Sequence, residues 1–429
     1  MTRAPVALSA YAIAARAASP FANRFLDWRA RRGKEDVERR GERLGVAGVA
    51  RPEGPLVWVH GASVGECMSL LPLVDRLRAG GTHVLMTSGT VTSATLMAKR
   101  LPPGAIHQYA PLDSPVFAQR FLAHWRPALA LFAESELWPN LLAQTKRSGA
   151  ALMLVNARMS ERSFQRWRRA PSIIRSLLDN VDLVMAQSDE DAFRYGALGA
   201  PQVLNCGNLK FDTPPPPADA IKLAAMSASV AGRPVWFAAS THPGEDEYIL
   251  AAHRRIAERL PDIITIIAPR HPDRGADIME MARMDGLSAT LRSRGGLPTR
   301  ETALYVADTL GEMGLFLRLS PVAFIGATLV DRGGHSPIEA AKLGVAILHG
   351  PHVRNNADSY AALDRGGGAL LVAGAEDIAR EVTALVGDVG RLRAMGGRAY
   401  AAVEDLSGAT ERIAHAIAPF MPKRAEAAR

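Results

Sequence analysis

The chain has 429 residues, enough for two or three domains of ordinary size, and its 48% hydrophobic and 22% charged residues exclude a wholly disordered or fibrous protein. Only 2 cysteines, Cys67 and Cys206, are present, which excludes a disulfide framework, fits a reducing compartment and, with no Cys/His ligand cluster, argues against structural zinc. A formal net charge of +8 favours anionic partners: nucleic acid, a phosphorylated substrate or an anionic membrane surface.

No run reaches the roughly 18 uninterrupted apolar residues of a spanning helix. Residues 4–20 are alanine-rich and interrupted by Arg16. Phe21, Phe25, Leu26 and Trp28 follow, interleaved with Arg24, Arg29, Arg31, Arg32 and Lys34. Aromatic and basic side chains mixed in this way suit a helix lying in a membrane interface. A secretory signal carries its charge ahead of the apolar stretch, whereas here most of it comes after. Residues 1–45 therefore read as a membrane-associating helical segment, with a solvated terminal helix as the alternative.

From Leu56 onward strand-like and helix-like segments alternate. The expected strands are Leu56–His60, Thr82–Ser88, Ala128–Phe132, Ala151–Val155, Val181–Ala186 and Gln202–Cys206, with helices starting near Glu66, Val91, Glu136 and Glu190. This alternation predicts parallel βαβ units with helices on both faces of a sheet. The first strand ends in His60-Gly61-Ala62-Ser63-Val64-Gly65-Glu66, a small-residue turn followed by a carboxylate. Ligands in open α/β sheets bind where strands end and helices begin, so Glu66 is either a catalytic group or an acid that complements a helix dipole. Glu134-Ser135-Glu136-Leu137-Trp138-Pro139-Asn140 places further carboxylates at an adjacent strand end, as one base and one charge-stabilising group would require. Trp138 and Pro139 can wall a site or simply pack. Asn156 to Phe164 follows a third strand. Beyond it Arg162, Arg166, Arg168, Arg169 and Arg175 run on with no acid between them, interleaved with Phe164 and Trp167. Arginines in such a cluster can grip phosphates, dock on an anionic membrane or nucleic acid, or form a solvated face. Asp189-Glu190-Asp191 matches a DxD metal motif, but it follows Ser188 at an expected helix start, where acids favour the dipole. Lys210, in Gly207–Asp212, is placed to meet developing negative charge or is a surface lysine.

Pro214–Pro217 reads as a stiff linker. A second alternating series follows, with strands Val235–Ala239, Ile263–Ala268, Val322–Ile325, Val345–Leu348 and Ala369–Val372 and helices starting near Glu245, Ile338 and Glu376. The expected domains are therefore residues 46–213 and 218–429, two α/β domains facing each other across a cleft. In the second, Pro269 and Arg270 follow a strand and suit a base and a phosphate. Asp308-Thr309-Leu310-Gly311-Glu312-Met313 reads as a turn and helix start. Gly333-Gly334-His335-Ser336-Pro337-Ile338-Glu339 reads as a diglycine turn into a helix start with Pro337 at the first helical position, where free N–H groups can receive an anion and Glu339 ribose hydroxyls. The layout is that of nucleotide recognition in a Rossmann-like domain without its glycine fingerprint. His335 reads as a hydrogen-bonded structural histidine before a catalyst.

Taken in order, the blocks 60–66, 134–140, 156–164, 207–212, 240–246, 269–274, 310–313 and 333–339 resemble the Kdo transferase family, the 3-deoxy-D-manno-octulosonic acid transferases of lipopolysaccharide assembly. The resemblance runs from residue 32 over nearly the whole remaining chain. It implies a GT-B glycosyltransferase that needs no cofactor or metal, with CMP-Kdo as co-substrate donor and the lipid A precursor lipid IVA as acceptor, acting on the cytoplasmic face of the inner membrane and not on nucleic acid. It further implies Glu66 as catalytic base, with Ser63, Gly65, Arg162 and Arg166 on the acceptor side. Glu136 and Lys210 would stabilise the transition state. Pro269, Arg270, Leu310–Met313 (Leu310, Gly311, Glu312, Met313) and Ser336, Pro337, Ile338 and Glu339 would hold CMP. The family commonly carries asparagine where this chain has Ser336, whose reach is shorter. On the residues alone, a GT-B transferase or epimerase using a UDP-sugar is the competing enzyme reading, and a basic, non-catalytic nucleic-acid-binding protein is the competing reading of another class.

Overall fold

Val57 and Val59 pack into one core cluster while Leu56 and Trp58 pack into another, all four without solvent exposure. Successive strand residues point to opposite faces, so a run that is apolar throughout marks a strand covered on both sides. The computed structural model describes residues 5–230 and 232–421. The first four and last eight positions of the expected terminal segments, and Ala231, lie outside the described residues.

The chain forms two compact units. The first comprises the residues up to Thr213 together with those from Ser407, and the second Pro214–Leu406. In the first, β1 (Leu56–His60), β2 (His83–Ser88), β3 (Ile106–Tyr109), β4 (Leu129–Ala133), β5 (Ala151–Ala157), β6 (Leu183–Ala186) and β7 (Val203–Asn205) make a sheet in the order β3-β2-β1-β4-β5-β6-β7. All pairs are parallel: Val57, for example, pairs with Val84 on one side and Leu129 on the other. The expected series omits β3. Its residues Ile106, His107, Gln108 and Tyr109 form a short edge strand with no apolar run to announce it.

In the second unit, β8 (Val235–Thr241), β9 (Ile264–Pro269), β10 (Ala289–Leu291), β11 (Leu304–Val306), β12 (Val322–Ile325), β13 (Ala346–His349) and β14 (Ala369–Leu371) repeat the plan in the order β10-β11-β9-β8-β12-β13-β14, again all parallel. Here β10 and β11 are absent from the expected series, because three residues are too few to carry a period.

Two expectations are corrected. The tetraproline is an ordered strap of the second unit: Arg318 donates to the Pro216 carbonyl (2.6 Å), and a Cβ on Gly314 would lie only 2.2 Å from the Pro217 carbonyl oxygen. The second domain also does not run to the C-terminus. In the helix Ala409–Ile417 the apolar residues Ala409, Ile413 and Ile417 are fully buried, and they join Leu70, Leu73 and Val74 in covering one face of the first sheet. The i, i+4, i+8 spacing marks an apolar helix face, but not which sheet it covers.

The segment before β1 belongs to the first unit too. Helices Val6–Ala18 and Ala22–Ala30 are seated on it by Leu8, by Leu26 and by the Tyr11 hydroxyl on Asp113 (2.9 Å). Val6, Ile13, Phe21, Phe25 and Trp28 remain exposed, and the Arg29 and Arg32 guanidiniums lie over the Phe25 and Trp28 rings. Among the described residues no helix is long and apolar enough to cross a membrane.

Candidate functional site

In both sheets the chain runs outward in one direction from its first strand and then returns to that strand's other side. The switch points lie between β1 and β4 and between β8 and β12, and the crevice at the C-terminal ends of such a strand pair is where doubly wound sheets bind ligands. Both crevices carry unusual backbone. Glu134 (φ 50°) and Asn156 (φ 50°) in the first unit, and Ser240 (φ 58°) and Ala327 (φ 62°) in the second, are left-handed without being glycine. Local strain of this kind persists where the surroundings over-determine it, and it clusters at functional sites.

At the first crevice Ser63 caps the helix Val64–Ala79, its hydroxyl oxygen accepting the Glu66 N–H (3.3 Å). Glu66 returns the interaction: Oε1 accepts from the Ser63 hydroxyl (2.7 Å) and Oε2 from the Ala62 N–H (2.8 Å). Reciprocal capping of this kind fixes the carboxylate in orientation. The turn is close-packed at Gly61, where a Cβ would stand 3.2 Å from the Cys67 nitrogen. Burial pushes the Glu66 carboxyl above its ordinary range. The Ser63 and Ala62 hydrogen bonds oppose this, and the charges of Glu136 and Glu134 reinforce it.

Across the switch point, Glu136 receives the indole N–H of Trp138 and faces His60 Nε2 at 3.7 Å. Trp58 donates its indole N–H to Thr87 Oγ1 (2.9 Å), leaving the Thr87 hydroxyl proton for His60 Nδ1 (2.9 Å). In that arrangement the imidazole proton sits on Nε2, toward the carboxylate. Burial pushes Glu136 upward, but His60 and Trp138 outweigh it and hold its carboxyl below the usual range. Helix formation begins at Pro139 instead of near Glu136, because Pro139 takes the first helical position and residues 134–138 form a turn.

Lys210, in the short 3₁₀ turn Leu209–Asp212, places Nζ 3.7 Å from Glu134 Oε1. Its loop is anchored from below by fully buried Asn156, whose Oδ1 accepts the Leu209 N–H (2.9 Å). Glu66, Glu136 and Lys210 are thus joined by Glu134 and His60, two participants not singled out from the sequence. His60 opens the very block that Glu66 closes, and that adjacency was the available signal. Gly65 is exposed on the first turn of the Glu66 helix. Arg162 and Arg166 lie exposed on the helix Glu161–Arg168, with no hydrogen bond or ion pair to this group. The acids of the DxD stretch are engaged elsewhere. Asp191 accepts from Met159 N (2.7 Å) and the Ser188 hydroxyl (2.8 Å), Asp189 from Asn205 (2.8 Å), and Glu190 pairs with Arg194 (2.5 Å).

In the second unit an open depression is lined by Ser240, Met313, His335, Ser336 and Glu339. Gly326 permits it, since a Cβ there would fall 2.3 Å from the Ser240 carbonyl oxygen. Glu339 opens to solvent yet is flanked by protein on most sides. That crowding pushes its carboxyl up, while Arg270 pulls it down. Arg270 is exposed beyond buried Pro269. His335 Nε2 lies 3.0 Å from His242 Nε2, so the two rings share one proton. Burial, Arg270 and neighbouring His242 and His271 depress His335 to about 4, leaving it neutral near pH 7.

Three donor-side expectations take a different form. Pro337 is the N-cap and not the first helical residue, and the helix after it is a single turn, Ile338–Ala341, so little macrodipole stands behind its N–H groups. The Ile338 side chain is buried, which leaves only its backbone available; Ser336 Oγ lies 3.4 Å from the Ile338 nitrogen. The Glu312 carboxylate is already taken by Arg292 (3.0 and 2.9 Å), Thr309 (2.6 Å) and Lys222 (2.9 Å), chiefly by Arg292, which brings it down to about 2. It braces the Leu310–Met313 turn, in which Leu310 is exposed and Gly311 is left-handed at φ 84°.

Two Rossmann-like units, each with polar side chains gathered at its switch point, define the GT-B class. The solved structure of a glycosyltransferase from Rickettsia africae shares this fold, with a TM-score of 0.58 at 10% identity over 86% of this chain and 98% of that one. Sequence comparison is more specific. Residues 38–213 match the family model of 3-deoxy-D-manno-octulosonic-acid transferase (kdotransferase). The chain is 35% identical to the 3-deoxy-D-manno-octulosonic acid transferase of Rickettsia felis, over 77% of this chain and 71% of that protein. It is 31% identical to the enzyme of the same name from Haemophilus influenzae, over 90% and 92%. The chain belongs to the 3-deoxy-D-manno-octulosonic acid transferase family and is a glycosyltransferase.

Proposed function

We propose that the protein transfers Kdo from CMP-Kdo to the distal glucosamine hydroxyl of lipid IVA, with inversion at the anomeric carbon and without a metal. Glu66 takes the proton of the primary hydroxyl as its oxygen forms the bond to the anomeric carbon. The bond from that carbon to the CMP phosphate oxygen breaks, and its electron pair leaves with CMP. The observation that carries this reading is a switch-point carboxylate oriented by Ala62 and Ser63 and pushed upward by burial, because an ionised base of raised pKa takes a proton more readily near neutrality.

Glu136, kept ionised by His60 and Trp138, opposes positive charge on the Kdo ring in the transition state. Lys210 and Arg270 meet the charge on the departing phosphate. On the donor side, Glu339 receives ribose hydroxyls. Pro269, Ser336 and the backbone of Leu310–Met313 and Pro337–Ile338 frame the nucleotide, with Glu312 acting through its brace on that turn. Ser63, Gly65, Arg162 and Arg166 serve the acceptor, the two arginines, which have no acidic partner among the described residues, through its phosphates. The exposed Phe21, Phe25 and Trp28 with Arg29 and Arg32 suit the cytoplasmic surface of an inner membrane.

One assay tests the whole reading: CMP-Kdo with lipid IVA in anionic vesicles, the product read by mass and the enzyme by co-flotation. The expected result is a mass gain in whole Kdo units, with the protein floating. No gain, or a gain only from a UDP-sugar, overturns the reaction, and a protein that stays at the bottom of the gradient overturns the membrane assignment.

A further inference from the structure

Asp113 lies on the turn between β3 and the helix Pro115–Trp125, outside the carboxylate group described above. Its Oδ1 accepts the Leu141 N–H (2.8 Å) and its Oδ2 the Asn140 N–H (3.3 Å). These two donors belong to the first turn of the helix Pro139–Arg147, where no intrahelical partner exists. Trp138, at the N-cap, supplies no side-chain cap, so this capping comes from a residue distant in sequence. The Asn140 side chain donates back to the Asp113 carbonyl (2.9 Å). The same Oδ2 accepts the Tyr11 hydroxyl (2.9 Å) from the helix Val6–Ala18, and the neighbouring Ser19 and Ser114 hydroxyls meet at 2.6 Å.

The capped helix starts directly after Glu136, Leu137 and Trp138. Trp138 grips the Glu136 carboxylate, and Leu137 packs on the core cluster that also seats Leu8 of the N-terminal helix. A continuous set of bonds and contacts therefore runs from the N-terminal helix through Asp113 to the turn bearing Glu136. That turn begins in a left-handed Glu134 and has little regular structure of its own to hold it.

We propose that Asp113 is a positioning residue for Glu136: it fixes the first turn of the helix Pro139–Arg147, which sets Trp138 and through it the Glu136 carboxylate, and Tyr11 ties this assembly to the N-terminal helix. The inference rests on Glu136 acting in the transfer. It concerns a residue that touches neither substrate, and it gives the N-terminal helix a second task besides meeting a surface.

A double-mutant cycle on the full-length protein tests it, with CMP-Kdo and lipid IVA as substrates and kcat and KM read separately. Asp113→Asn is expected to lower kcat about tenfold while KM for CMP-Kdo stays within about twofold, since misplacing a catalytic group costs rate more than binding. In an E136Q background the same substitution is expected to change the residual rate by less than about twofold, because Asp113 then has nothing left to position. An unchanged kcat in D113N, or an equal loss in both backgrounds, overturns the inference: an equal loss would mean that Asp113 acts through general stability. Tyr11→Phe leaves Asp113 in place at a partly exposed site and carries the test if D113N does not fold. It is expected to show a smaller loss, about threefold, with the same dependence on Glu136. Full activity in E136Q alone overturns the reading of Glu136 and the inference with it. An inactive E136Q beside a normal D113N overturns the inference alone.

Discussion

Glu66 and Glu245 both stand where the first strand of a sheet passes into the following helix, beside the switch point, Glu66 in the first helical turn and Glu245 at the N-cap. Glu66 receives two donors, the Ala62 N–H and the Ser63 hydroxyl, both from its own turn. Glu245 is fully buried and receives four backbone N–H groups: His242 (2.9 Å) and Ala327 (2.7 Å) on Oε2, Thr328 (3.0 Å) and Leu329 (3.0 Å) on Oε1. Three of those donors come from the loop after β12, so the carboxylate stitches the two walls of the crevice together. In the first unit the wall opposite Glu66 offers carboxylates in place of N–H groups, and the crevice keeps a carboxylate with lone pairs to spare. The same residue type beside the two switch points is mortar in the second unit and, on the mechanism proposed above, the base in the first. The difference lies in what the far wall presents.

Three substitutions probe that contrast, in falling order of effect. Glu66→Gln should reduce kcat by about a thousandfold, near the middle of the range for removing a general base, with CMP affinity unchanged. Stability should move by less than about 1 kcal/mol, because the amide can still accept from the turn. Transfer rates and a calorimetric scan together check this, and a stability loss as large as that of Glu245→Gln would erase the distinction. Glu245→Gln should do the reverse. It turns an NH₂ toward two backbone N–H groups, which should cost about 3 kcal/mol by denaturant titration. Any loss of transfer should then follow the folded fraction.

Ser63→Ala has the smallest expected effect, about 1 kcal/mol for a lost N-cap. It also tests the pH dependence. On the proposed mechanism transfer needs Glu66 ionised, so activity should be lost as pH falls through its pKa, and burial places that acid limb above the ordinary glutamate value of 4.5. The Ser63 hydroxyl pulls the pKa down, so removing it should move the limb of kcat/KM to higher pH. A limb that stays put or moves down would mean that another group controls the profile.

Much of this was legible in the chain. The apolar runs at Leu56–His60 and Ile263–Ala268 announce strands covered on both faces, and the alternation around them predicts a doubly wound plan twice over. The strands left out of that reading, β3, β10 and β11, are three or four residues long and draw stability from a neighbouring strand instead of from a pattern of their own. Glu66 and Glu136 were visible as carboxylates at strand ends. His60 and Glu134 were present in the same blocks, but nothing in their spacing says that a buried imidazole would face one carboxylate or that a left-handed turn would lay another beside Lys210. On the donor side, Glu312 looks like a ligand in sequence because Arg292 and Lys222, which occupy it, come from distant segments.

The sequence by itself determined the local quantities: which of the longer apolar segments are strands, where turns place carboxylates and arginines, and, through the order of its motifs, the family. Those follow from side-chain periodicity and backbone preference over a few residues. Only the tertiary structure decided that the chain returns at Ser407 to finish the first unit, that Asp113 caps a helix more than twenty residues further along, and that Glu66 keeps free lone pairs while Glu245 spends its own on the opposite wall. A carboxylate's chemistry depends on how many donors converge on it and how much water it loses, and both are set by segments that sequence distance keeps apart.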